Sequence, residues 1–272
     1  MAGKWIDPET GQEVTEIAKL NGKGVTTRIS VKRALGMGLI RSVTSKISDV
    51  LGDSYGLVDW KLNQSILAAS EHPKEDNEAP DDYAARIKAI AREYTLALAD
   101  RGSDLHGMLN RFIDNGIIPD DPAGTPLCEE FGRFLEFAEI EEASSEKVLM
   151  TAEDCGTPDF FTEHANLRKV CEWCNEAPPP WLSDDKGPLI IDFKTKDALG
   201  LKPKAIYMPV YLQLGAYDTL LGFDVDSLSM VWQADRETGV SATKLLCDLR
   251  VWRDAWLYVN QLWAVRASTG VR

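Results

Sequence analysis

The octapeptide Pro188 to Thr195, PLIIDFKT, constrains this chain more than any other segment. Its apolar, β-branched start reads as a buried strand, yet it ends in an acid and a lysine. Asp192 and Lys194 are two residues apart, so in a strand they project to the same face. Unpaired charges at the end of a buried strand are expensive, so the pair needs a reason. A same-face Asp–Lys ion pair is one reason. A divalent cation on the carboxylate, with the ammonium facing a water or a phosphate oxygen, is another.

Around this strand the spacing of apolar residues predicts a helical first half. Ile29 to Leu51, Leu57 to Ser70, Asp81 to Arg101, Asp104 to Asn115 and Leu127 to Glu142 all show three- and four-residue periodicity. The polar linker EHPKEDNEAPDD, with two prolines, reads as a loop. Short strands are expected at Glu146 to Ala152 and Pro158 to Thr162. A helix is expected over Lys204 to Leu221, with Pro209 near its first turns, then a strand over Val225 to Ala234. Ser241 to Ala267 reads as one long helix whose Trp252, Trp256 and Trp263 share a packing face. The segment 164–187 interrupts two strand signals and carries Cys171-x-x-Cys174, three consecutive prolines and an acidic tip. It reads as a surface insertion. The expected organisation is a helical part over 1–100 and an α/β core over 101–272.

The formal charge is −13, from 30 Lys plus Arg against 43 Asp plus Glu in 272 residues. That excludes a protein that coats nucleic acid non-specifically, but not one that handles it at a local site. The charge is uneven: Lys19 to Lys46 holds seven bases and no acid, whereas Pro119 to Glu163 holds thirteen acids and two bases. The N-terminus lacks the apolar core of a signal peptide, and no apolar run reaches the ~18 residues of a membrane span. Five scattered cysteines suit reduced thiols. A soluble, cytoplasmic protein is expected.

Three further motifs accompany Asp192 and Lys194. Gly156-Thr157-Pro158-Asp159 places a second acid after a tight turn, and if the two strands are neighbours both acids converge on one ion. Hard oxygen ligands of this kind suit Mg²⁺ or Mn²⁺. Gly102-Ser103-Asp104-Leu105-His106 sets one of three histidines near a helix start. Gln213 and Tyr217 are i and i+4 on one helix face. Taken singly, each motif also has an ordinary structural explanation.

In this order, Gly-x-x-x-His, Gly-x-x-Asp, Asp-x-Lys and Gln-x-x-x-Tyr resemble the RecB-like branch of the PD-(D/E)XK nuclease superfamily, over roughly residues 42–222. Ser42-Val43-Thr44 followed by Trp60-Lys61 is similar to the N-terminal part of phage exonucleases and the mitochondrial genome maintenance exonuclease. The resemblance implies an α/β fold with a central mixed sheet flanked by helices, a restriction-endonuclease-like core, and a helical N-terminal part capping the active site. It implies a metal-dependent DNA exonuclease acting from single-stranded or resected duplex ends in phage or bacterial recombination, replication or repair, with one or two Mg²⁺ or Mn²⁺ ions. His106, Asp159, Asp192 and the Phe193 carbonyl would ligate the metal. Lys194 would orient or activate the attacking water and offset charge on the phosphate, while Gln213 and Tyr217 would support the site and position the DNA backbone. Glu146, or alternatively Glu153, would complete the acidic set. Lys32, Arg33 and Arg41 are the expected backbone contacts in the basic stretch, whose other reading is a solvated helix.

Some relatives hold an iron–sulfur cluster through cysteines after the Gln-x-x-x-Tyr helix. Only Cys247 lies there, so no cluster is expected. Zinc at His164, Cys171 and Cys174, with or without Cys155, is not expected either. The partners expected are DNA ends and a single-strand-binding or annealing protein, with no membrane partner. The competing readings are a structure-selective endonuclease and a catalytically silent DNA-binding or assembly protein.

Overall fold

The computed structural model describes residues 5–12, 14, 35, 38–52, 55–182, 185–197, 204–223, 227–246 and 249–269. At its centre lies a five-stranded mixed sheet. In spatial order it comprises β3 (Ser144–Ser145), β6 (Phe160–Asn166), β7 (Lys186–Lys196), β8 (Leu228–Asp235) and β9 (Ser241–Leu246). Neighbours run antiparallel except β7 and β8, which are parallel and joined by helix α6 (Met208–Leu221). A parallel pair needs such a crossover, because a tight turn can only reverse the chain. Two small ribbons lie outside this sheet, β1 (Trp5–Ile6) with β2 (Ile40–Arg41) and β4 (Leu149–Met150) with β5 (Cys155–Gly156).

Strand alternation sorts the core into two layers. Leu189, Ile191 and Phe193 of β7, with Met230 and Trp232 of β8, meet α3 (Pro80–Asn115), α4 (Gly124–Phe137) and α5 (Leu167–Trp173). Trp232 sits edge-on to Phe131 and Phe134, with ring centroids 5.1 and 5.3 Å apart. Ile190 and Val231 point the other way, toward α1 (Val43–Leu51), α6 and α7 (Arg250–Thr269). The result is an α/β fold with a mixed sheet flanked by helices and a helical N-terminal region. No helix among the described residues is long and apolar enough to cross a membrane.

Several expectations are corrected. The two helices expected on either side of residue 102 are one 36-residue helix, α3, which also runs through the expected boundary at 100. Its N-terminal half packs on α2 (Tyr55–Glu71) through Ala68, Ile87 and Ala91, and its C-terminal half enters the main core through Leu105 and Leu109. Gly102 allows α3 to press on β7, since a Cβ there would lie 2.7 Å from Thr195 Oγ1. Residues 241–246 form strand β9 instead of the start of the last helix. The Asp235 carboxylate accepts from the N–H groups of Glu237 and Thr238 and closes a turn that returns the chain antiparallel. The segment 164–187 is not a detached surface piece, because it ends β6 and its Leu167, Val170 and Cys171 are fully buried.

Lys46 on α1 is 1% exposed and joins distant parts of the chain. Its ammonium donates to Asp154 Oδ1 at 2.6 Å, Asn260 Oδ1 at 2.7 Å and the Glu153 carbonyl at 2.8 Å. The same ammonium lies 4.5 Å from the Trp263 ring centre. Asn260 also donates to Asp154 Oδ2, which completes the network. Removing one member of such a group strands the others in a dry interior. Lys46→Met is therefore expected to lower stability by about 3 kcal/mol, read as a shift of the urea midpoint. A second ion pair, Arg101 with Asp121, holds α3 against the start of α4. The Arg101 guanidinium, and the Ala123 and Gly124 N–H groups, hold the Asp121 carboxyl down at about 2, against the cost of burial. A depressed pKa stabilises the folded state above the ordinary carboxylate range and is lost as pH falls toward 2. Asp121→Asn is thus expected to cost about 1–2 kcal/mol at pH 7, with the difference from the parent shrinking between pH 4 and pH 2 in denaturant titrations.

Candidate active site at the end of the central strand

The site forms where the β6–β7 ladder stops. The register pairs Phe160 with Ile191, so one step further Asp159 faces Asp192 and Pro158 faces Phe193. Proline has no N–H to donate, and the ladder ends there. The Phe193 N–H is then taken by the Asp159 side chain, with Oδ2 accepting at 2.7 Å. The Thr-Pro-Asp sequence after Gly156 thereby sets two carboxylates side by side on neighbouring strands.

Asp192 is 1% exposed, and Lys194 two residues on donates to it, with its ammonium 2.7 Å from Oδ1 and 2.6 Å from Oδ2. The ammonium also lies 3.4 Å from the Phe193 carbonyl oxygen. From α3, His106 brings Nδ1 to 3.7 Å from Asp159 Oδ1 and sets its ring edge-on to Phe193. His106 lies within the last third of a long helix, whereas the sequence placed it near a helix start. From α6, Gln213 Nε2 donates to the Tyr217 hydroxyl at 3.0 Å. The Tyr217 ring packs where a side chain at residue 156 would stand: a Cβ on Gly156 would lie 2.5 Å from Tyr217 Cε1. The glycine of Gly-x-x-Asp is thus needed for this approach.

Electrostatics drive the two acids apart. Burial pushes the Asp192 carboxyl up to about 6, Lys194 offsets part of this, and the negative Asp159 adds to it. Burial also opposes ionisation of Asp159, but His106, Lys194 and the Phe193 N–H hold it below the ordinary range. Lys194 is raised despite burial, because both carboxylates favour its charge. Tyr217 is pushed far up by burial and by the two acids, so it remains a neutral phenol. Opposite shifts in neighbouring acids are a mark of sites that move protons or hold cations.

The donor set is oxygen-rich: Asp192, Asp159 Oδ1 and the Phe193 carbonyl, with the His106 imidazole beside them. Such donors fit Mg²⁺ or Mn²⁺. Among the described residues no group of three or more His, Cys, Asp or Glu side chains stands ready as a metal centre. One Asp159 oxygen is committed to the Phe193 N–H, and the Lys194 ammonium lies against Asp192. The chain's own cation sits against the oxygens that a metal would use.

Other expected residues lie elsewhere. Glu146 is exposed in a left-handed turn after β3 (φ 44°), and only its N–H reaches toward the site, 3.4 Å from the Asp159 carbonyl. The Glu153 side chain is also exposed, and its carbonyl serves Lys46. Arg41 is corrected from a DNA contact to a structural residue. It is 7% exposed, its guanidinium pairs with Asp49 at 2.9 Å, and it lies over the Trp5 ring. Lys32, Arg33 and Cys247 lie outside the described residues. Cys171 is buried in the core, with Cys174 packed against it and against Met230, while His164 is exposed on β6. The sequence reading missed Asp154, whose signal was weak because thirteen acids share that segment.

A divalent cation held by Asp192 would compete with a proton there. Mn²⁺ affinity, measured by titration calorimetry, is therefore expected to fall about tenfold per pH unit below about 6 and to level off above it. Asp192→Asn should remove the binding and its pH dependence together.

No family model matches the chain, and no curated protein matches it. A solved structure described as "Crystal structure of SSO0001" overlaps 79% of this chain and 86% of its own, at 13% identity and a TM-score of 0.31. An overlap at that score assigns neither a fold nor a family.

Proposed function

We propose that this chain is a Mg²⁺- or Mn²⁺-dependent deoxyribonuclease with a PD-(D/E)XK core of the RecB-like kind, hydrolysing phosphodiester bonds from DNA ends. The observation that carries the reading is the meeting of Asp159, Asp192 and Lys194 at the end of the ladder, with His106 on one side and Gln213–Tyr217 on the other. An ordinary Asp–Lys pair at a strand end has no need of the second acid, the imidazole or the buried phenol.

Asp159 Oδ1, the Asp192 carboxylate, the Phe193 carbonyl and His106 would hold the cation. When bound, the ion supplies Lewis-acid polarisation of the phosphoryl oxygen and a lower pKa for the attacking water. Lys194 would hold the attacking water by hydrogen bonding and offset charge on the phosphate. Beside the two carboxylates the pKa of its ammonium is raised, so it meets the water as a hydrogen-bond donor. Tyr217 stays protonated and offers a neutral hydroxyl, fixed by Gln213, to a phosphate oxygen. Little covalent work falls to the protein, and positioning dominates. Action at DNA ends would place the chain in recombination, replication or repair, beside a single-strand-binding or annealing partner.

End-labelled single- and double-stranded DNA should be degraded in Mg²⁺ or Mn²⁺, with Asp192→Ala and Lys194→Ala reducing the rate by about 10³-fold or more and leaving the far-UV spectrum unchanged. Circular single strands should survive; their cleavage would mark an endonuclease instead. Failure of the parent protein to degrade DNA of any form would sink the enzyme reading.

A further inference from the structure

The alternation that places Asp192 and Lys194 on one face of β7 continues to Lys196, about 7 Å beyond Lys194. Its ammonium lies 5.8 Å from the ring centre of Tyr207, the residue that leads into α6. Tyr207 is 45% exposed, and Met208 beside it is 50% exposed. Large apolar side chains at the rim of a polar site invite a flat, apolar ligand face. Lys204 is exposed, and its ammonium donates to the carbonyl of Asp197, next to Lys196.

This corner is built on rigid supports. Gln233 of β8 is 1% exposed and grips the Lys204 backbone in both directions, with Oε1 accepting from the Lys204 N–H at 2.6 Å and Nε2 donating to its carbonyl at 2.9 Å. The Arg236 N–H donates to the Lys196 carbonyl at 3.1 Å, and the Arg236 guanidinium reaches Asp197 and the Thr195 carbonyl. Arg101 of α3 donates in turn to the Arg236 carbonyl. Four elements therefore converge to hold these cations in place.

The chain as a whole carries −13, but the carboxylates at this corner are engaged: Asp235, the register partner of Lys196, accepts from the Glu237 and Thr238 N–H groups. Asp197 pairs with Arg236, and Arg101 is committed to Asp121. Among the described residues no ion pair engages Lys196. Burial, and then the neighbouring Lys194, Arg236 and Lys204, push its ammonium below the usual lysine range. Crowded cations beside an exposed aromatic ring lack one thing, a polyanion with stackable faces.

We propose that Lys196, Lys204 and Tyr207 form a subsite for a single DNA strand, the two lysines holding backbone phosphates next to the scissile bond and Tyr207 stacking on an unpaired base. This rests on the nuclease reading for the position of the scissile bond. A paired base inside a duplex has no free face for Tyr207, so the subsite selects single strands.

The test is fluorescence anisotropy of a labelled oligothymidylate and of a blunt hairpin duplex, in EDTA so that no turnover occurs. Lys196→Gln with Lys204→Gln should weaken oligothymidylate binding about tenfold and reduce the slope of log K against log salt by about 1.4, near 0.7 per phosphate contact. Tyr207→Ala should weaken the single strand about tenfold and leave the duplex unaffected, while Tyr207→Phe should bind as the parent does. Thermal melts of each variant separate lost contacts from lost folding. A parental affinity and salt slope in the double lysine variant overturns the subsite, and so does an equal effect of Tyr207→Ala on both DNA forms. Because binding is read without turnover, the two proposals fail separately. An inactive protein that shows these losses keeps the subsite and loses the nuclease reading; an active one that does not show them loses the subsite alone.

Discussion

The hydrogen bond from the Phe193 N–H to Asp159 Oδ2 decides what the end of the central strand becomes. Beyond the point where Pro158 ends the ladder, β7 would present bare backbone groups at the edge of a dry core, and such groups must find partners. A carboxylate supplies one, and in doing so Asp159 is fixed beside Asp192. Two acids at that separation need positive charge between or beside them. Lys194 supplies it from the same strand and His106 from a helix that crosses the end of the sheet.

The helices keep this arrangement because they approach more closely than ordinary side chains would allow. Gly102 lets α3 lie against Thr195, and Gly156 admits the Tyr217 ring. Behind them, Lys46 ties the start of α1 to Asp154 and to Asn260 of the last helix. The segment just before the Gly-x-x-Asp turn is thus clamped from outside while its acid is clamped from within. Rigid supports of this kind hold a polar site in one geometry at a cost in stability that an apolar core would not carry.

The folded chain redistributes its charge. Of the acids between residues 119 and 163, Asp121, Glu139 and Asp154 are paired with Arg101, Lys169 and Lys46, and Asp159 sits in the site. Arg41 and Lys46, from the basic stretch near the N-terminus, are used up inside the fold. The cations left facing outward near the carboxylates lie instead at the end of β7 and before α6. The net charge of −13 therefore says little about the field that a ligand meets at this corner.

By itself the sequence determined the central strand, its Asp-x-Lys end and most of the helices, because hydrophobic period and same-face spacing are local properties. It also singled out Asp159, His106, Gln213 and Tyr217 as a set, through their order along the chain. What it left undecided depends on contacts between distant residues. Nothing local distinguishes a helix broken at Gly102 from one that runs through it. Residues 241–246 suit either a strand or a helix until β8 offers an edge to pair with. Arg41 and Asp154 look like solvated charges until Asp49 and Lys46 are brought against them. Which lysine is buried and which acid it pairs with were settled by tertiary structure, since burial and pairing of charge are properties of neighbours in space.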